Sequence, residues 1–165
     1  MRFMVSVTSG EKSVYLIEGD DAVDLASIDP SFRGDMRCLF DRLPDVRSTA
    51  TNAERLPAAS LQPAMPVEKP GKVVCLGLNY VDHIKDGGYE IPSYPALFMR
   101  ATTSLMAAGE PMVRPSCSEQ LDYEAEMMVI IGKGGRNIKE ADALDHIFGY
   151  TIFNDGSVRD YQRKT

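Results

Sequence analysis

The segment LDYEAEMMVII, residues 121–131, narrows most what this chain can fold into. Met127, Met128, Val129, Ile130 and Ile131 are apolar on both sides of an extended backbone, so the segment reads as a strand covered on both faces. Side chains at i and i+2 of a strand share a side, which puts Glu124 and Glu126 on one face, roughly 7 Å apart along the backbone. Such a pair is equally readable as a solvated strand face from its spacing alone, and the apolar flanks shift the reading. Beside them two like charges repel, and burying both is costly unless a cation compensates. A third carboxylate, Asp155, ends the apolar run YTIFN, and a helix-like stretch between the two strands makes a β-α-β unit that returns it toward the first two. An all-oxygen set selects a hard divalent ion, Mg²⁺ or Mn²⁺, over zinc.

Two units flank a linker. In the first, residues 1–66, alternating stretches at 3–7 and 13–17 with turn signals at Ser9-Gly10 and Gly19-Asp20 predict a β-hairpin. A helix is expected over residues 32–43, where Met36, Leu39, Phe40 and Leu43 recur at helical spacing behind Pro30. Pro57, Pro63, Pro66, Pro70 and Gly71 give an extended connection that leaves residues 67–71 as the linker. The second unit, residues 72–165, opens with a buried strand at 72–76 that stops at Gly77. The polar loop GLNYVDHIKDGG then gathers Asn79, Tyr80, Asp82, His83 and Asp86 at the end of that strand. Shorter strands are expected at 96–99 and 111–113, a helix from the capping-box pair Asn137 and Glu140 to Ile147, and a strand at 150–154. The glycines of IGKGG lack phosphate-loop spacing and read as a plain turn.

Composition excludes more than it assigns. A chain of 165 residues with 44% hydrophobic and 25% charged residues is long enough for one core. Its net charge of −6 and the lack of a basic run argue against nucleic acid as a partner. No apolar stretch has the length of a membrane span or of a signal peptide, so a cytoplasmic location is the default expectation. Cys38, Cys75 and Cys117 are far apart and read as reduced, mostly buried thiols. Of the two histidines, His146 has the structural reading of a residue complementing a helix C-terminus. His83 lies three residues before Asp86, a spacing at which a carboxylate on one helical turn can orient the ring. Arg159 and Gln162 share a face on a helical turn, readable either as a hold on a substrate carboxylate or as a surface ion-pair network.

Four segments, KVVCLGLNYVDHIKD, PALFMRATTSLMAAGEPMVRP, LDYEAEMMVIIGKGGRNI and GYTIFNDGSVRDYQ, together resemble the fumarylacetoacetate hydrolase family across residues 72–165. The resemblance implies an α+β, mainly β chain, with a β-roll or sandwich catalytic domain behind a small N-terminal β/α domain, usually as a homodimer. It implies Mg²⁺ or Mn²⁺ on Glu124, Glu126 and Asp155. It makes His83 the base that activates water, with Asp86 where many members have Glu, and has Arg159 and Gln162 contact a small keto-acid substrate. Arg100 stands where members often have Lys. The implied reaction is hydrolysis of a carbon-carbon bond in a β-diketo acid of the acylpyruvate type. Oxaloacetate decarboxylation, keto-acid isomerisation or hydration and ureidoglycolate lyase activity are alternatives on the same site. A non-catalytic module holding structural Ca²⁺ is the rival from another class, and no EF-hand spacing supports it. The family's domain runs past the R-D-x-Q segment, supplying a Lys, a Thr/Gly-rich loop and further strands. The expectation is therefore that these residues are part of a longer protein and inactive alone.

Overall fold

The computed structural model describes residues 1–162 and Lys164, apart from the Thr49 side chain. The chain is mainly β, with few and short helices. Strand β1 (Arg2–Thr8) turns back into β2 (Glu11–Glu18) through Ser9 and Gly10, both at positive φ (53° and 83°). That pair of left-handed residues suits the right-handed twist of a two-residue hairpin. Strands β3 (Asp21–Asp24) and β4 (Leu56–Pro57) complete an antiparallel sheet in the order β1-β2-β3-β4.

The helix expected over residues 32–43 does not form. Asp29 and Asp35 accept hydrogen bonds from the backbone amides of Ser31 (2.9 Å) and Arg37 (3.0 Å), opening short 3-10 turns at Pro30–Phe32 and Met36–Leu39. Gly34 between them has φ 107°, outside any helix. Local side-chain capping outcompetes helix propagation here. The α-helix follows instead as α1 (Leu43–Ala50), with Pro44 in its first turn. Met36 and Leu39 still reach the interior, joining Val5, Val14, Leu16, Val23, Leu25, Phe32 and Val46 in one core. The proline-rich stretch is strapped to this unit: the Ala64 amide donates to the Val5 carbonyl (2.7 Å) and the Met36 amide to that of Pro66 (2.9 Å).

Beyond residue 71, β5 (Val73–Gly77) pairs antiparallel with β6 (Ala96–Arg100), and α2 (Val81–Asp86) lies between them in sequence. The long strand expected over 121–131 breaks at Tyr123 and Glu124. Its first part, β7 (Leu121–Asp122), pairs with β10 (Ser157–Val158), and its second, β8 (Ala125–Ile131), pairs with β9 (Ile147–Asn154). α3 (Arg159–Gln162) follows β10 directly. Residues 111–113 form no strand, having no ladder partner among the described residues. The helix expected from Asn137 is a 3-10 helix, Glu140–His146, because Asn137 sits at φ 54° and cannot cap it. His146 has a structural role, its Nδ1 2.8 Å from the Lys133 carbonyl oxygen.

One face of β8–β9 is open, contrary to the expectation of cover on both sides. Met127 (65% exposed), Val129, Ile131, Tyr150 and Ile152 (87%) point away from the packed face. The same holds for Val74, Leu76, Leu97 and Met99 on β5–β6. The two units meet where Phe40 packs on Phe148 with ring centroids 4.7 Å apart. All three cysteines are free. Cys117 is exposed rather than buried, and Cys38 and Cys75 are half-buried.

Candidate active site

The register of β8 and β9 decides which side chains meet. Ala125 faces Asn154 and Glu126 faces Phe153. The ladder continues one step further, where the Asp155 amide donates to the Glu124 carbonyl (2.8 Å) and the Glu124 amide to the Asn154 side-chain oxygen (3.0 Å). Directly opposed residues of an antiparallel pair share a face. Glu124, Glu126 and Asp155 therefore rise from the packed face of one strand pair, as the i, i+2 spacing predicts for the two glutamates. Asp155 is only 4% exposed.

Their charges are met by arginines. The Arg100 guanidinium, at the end of β6, pairs with Asp155 through Nη1 and donates through Nη2 to the Gly156 carbonyl (3.1 Å). Arg159 pairs with Glu124 and holds Asp122 at 3.0 Å, and its Nη1 donates to Gln162 Oε1 (3.0 Å), the shared face expected for these two residues. Burial opposes the Arg159 charge, but Asp122 and Glu124 outweigh it and raise its pKa. Glu126 receives a longer hydrogen bond, 3.4 Å, from the Asn79 amide. With two carboxylates turned to guanidiniums, no three acidic, His or Cys side chains among the described residues stand close enough together to hold an ion as they lie. The donor chemistry fits a hard divalent cation on Glu124, Glu126 and Asp155, with Arg100 and Arg159 as the present counter-charges.

His83 and Asp86 lie on α2, which is anchored by the buried Ile84. Both are exposed, and among the described residues no hydrogen bond or ion pair joins them. Cys75 belongs to the site although its sequence suggested only an inert thiol. It shares a strand face with Val73, whose cross-strand partner is Arg100. Burial and then the negative charge of Asp155 push its pKa up to about 11. The alternation of β5 held that signal, but only the β5–β6 register connects it to Arg100.

The carboxylates of the β8–β9 pair thus face guanidiniums carried by β6 and α3. Residues 72–165 match the fumarylacetoacetate (FAA) hydrolase C-terminal domain, and the chain belongs to the fumarylacetoacetate hydrolase family. It is 36% identical over 154 residues to the mitochondrial oxaloacetate tautomerase fahd2 of Xenopus laevis, covering 90% of this chain and 48% of that protein. Among solved structures it is similar to the fumarylacetoacetate hydrolase of Exiguobacterium antarcticum, with a TM-score of 0.77, 28% identity, and coverage of 99% of this chain and 58% of the other. The fold is shared by a maleylpyruvate hydrolase from Sphingobium sp. SYK-6 solved with manganese (II) ion and pyruvate, with a TM-score of 0.75, 23% identity, and coverage of 96% and 60%. The chain thus spans about half the length of the curated relatives it matches. No described helix is long and apolar enough to cross a membrane.

Proposed function

We propose that these residues form the cation-binding part of an enzyme that interconverts the keto and enol forms of a short dicarboxylic 2-keto acid of the oxaloacetate class. One observation carries the reading: three carboxylates share one face of β8–β9, flanked by the guanidiniums of Arg100 and Arg159. Glu124, Glu126 and Asp155 would hold Mg²⁺ or Mn²⁺. A divalent cation bound there supplies Lewis-acid stabilisation of the negative charge that develops on a keto oxygen when a neighbouring carbon loses a proton. Arg159, braced by Asp122 and next to Gln162, has the planar fork that suits a substrate carboxylate. The tautomerase relative, at 36% identity, supports this reaction over others that pass through the same anion.

Carbon-carbon hydrolysis of an acylpyruvate is the second reading, favoured by the likeness to the Exiguobacterium hydrolase. It asks more of His83, which must take a proton from water with Asp86 orienting its ring. The two side chains are not joined in this structure, so hydrolysis needs α2 to rearrange. The test is to follow the ultraviolet bands of enol-oxaloacetate and acetylpyruvate with Mg²⁺ or Mn²⁺ and the purified longer protein of which these residues are proposed to be part. Accelerated loss of the oxaloacetate enol, abolished by Glu126→Ala and retained by His83→Ala, is expected. Cleavage of acetylpyruvate that disappears in His83→Ala would assign hydrolysis instead.

A further inference from the structure

Arg100 does more than flank the site. Its fork is engaged at two points, on the Asp155 carboxylate and on the Gly156 carbonyl, and its Cζ lies 6.0 Å from the centre of the Phe153 ring. Asp155 is buried almost completely, so its negative charge needs a partner at all times. A divalent cation on Asp155 would set like charges together in a poorly hydrated corner, where their repulsion is much stronger than in water. One buried carboxylate therefore has two competing partners.

We propose that Arg100 is an exchangeable counter-ion: it latches Asp155 before the cation arrives, must let go when the cation takes that carboxylate, and so sets cation affinity as a positioning residue. The proposal rests on the cation site put forward above and adds a regulatory device to it. Because Arg100 stands at the last position of β6, its guanidinium can swing out without unpairing the strand. The coupling is reciprocal: as much as the guanidinium weakens the cation's hold on Asp155, the cation weakens that of the guanidinium. Once released, the fork is free to take a carboxylate of the keto acid.

The experiment is a Mn²⁺ titration of the full chain, Arg100→Gln and Arg100→Lys, read by loss of the electron paramagnetic resonance signal of free Mn²⁺, with thermal melts in parallel. Removing one positive charge next to a divalent ion should tighten Mn²⁺ binding about tenfold or more in Arg100→Gln. The lysine variant should fall between, since a point charge cannot grip Asp155 and Gly156 together. In the melts Arg100→Gln should start below the parent and gain more from saturating Mn²⁺, because the cation supplies the partner that Asp155 has lost. A purely structural arginine would lower the starting midpoint and leave the Mn²⁺-induced gain unchanged. Equal or weaker Mn²⁺ binding by Arg100→Gln overturns the latch alone, while binding by neither parent nor variant overturns the cation site and the latch with it. Should Arg100→Gln fail to fold, Arg100→Lys decides, with tighter binding than the parent supporting the latch and equal or weaker binding overturning it.

Discussion

The two units solve the burial problem differently. Residues 1–66 close a core of their own: Val5, Val14, Leu16, Leu25, Phe32, Leu39 and Val46 pack between the four-stranded sheet, the 3-10 turns and α1. The second unit spreads its strands over three separate two-stranded ladders, and its buried residues are few, chiefly Val73, Ile84, Ser118 and Asp155. Two of those four are polar. Where the first unit is held by apolar contact, the second is organised around charge, with β5–β6 and β8–β9 tied together by Arg100 on Asp155. A fold can thus be well packed in one half and arranged for chemistry in the other, and substitutions should respond accordingly.

The largest effect is expected in the first core. Phe32 is fully buried beneath the Arg42 guanidinium, 4.0 Å from its ring centre, and Phe32→Ala should cost about 3–5 kcal/mol in chemical denaturation. A loss below 1 kcal/mol would show that this unit is not packed around that ring. The joint between units comes next. A methyl group on Gly132 would lie 2.7 Å from the Cβ of Phe148, the root of that side chain, which no rotamer change can move. Gly132→Ala should therefore cost about 1–3 kcal/mol by pushing Phe148 off Phe40. If it proves neutral, the units are coupled elsewhere.

Acid should loosen the first unit through two of its carboxylates. Hydrogen bonds from Ser31 and Arg42 hold the Asp29 carboxyl down at about 2, against an ordinary 3.8. Burial pushes Asp35 up, but the Arg37 guanidinium and the Glu68 and Arg37 amides outweigh it and leave it lowered as well. A depressed folded pKa adds stability that is complete above the unfolded value and disappears as pH falls through the folded one. Stability should accordingly fall from about pH 4 down to pH 2, and Asp29→Asn with Asp35→Asn should flatten that slope in denaturation curves taken across this range. An unchanged slope would assign the acid sensitivity to other carboxylates.

Much of this was legible where the code is local. The hairpin around Ser9-Gly10, the strand expected at 72–76 and found at Val73–Gly77, and the placement of Glu124 and Glu126 on one face follow from alternation and turn chemistry within a few residues. The two misread helices share one cause, competition between interactions of similar size. Helical spacing of Met36, Leu39, Phe40 and Leu43 was real, yet the Asp35 side chain took the Arg37 amide that a helix over 32–43 would have paired with the Arg33 carbonyl. Asn137 had capping spacing and went to a left-handed conformation instead. The Arg100–Asp155 and Arg159–Glu124 pairs were beyond reach for a different reason, because they depend on long-range register that no local pattern encodes.

The smallest expected effect tests the contrast most directly. Met127 and Ile152 are apolar residues on paired strands, and their composition alone would place them in a core. A core residue truncated to Ala loses about 2–5 kcal/mol, whereas an exposed one changes stability by less than about 0.5 kcal/mol. Ile152 is 87% exposed and touches little that truncation would remove. Ile152→Ser and Met127→Ser in this chain should therefore leave the denaturation midpoint almost unchanged while reducing self-association at high concentration, since a broad apolar sheet face is a sticky surface. A loss of 2 kcal/mol or more from either substitution would mean that the open face is covered in solution, and the second unit would then be held by apolar burial after all.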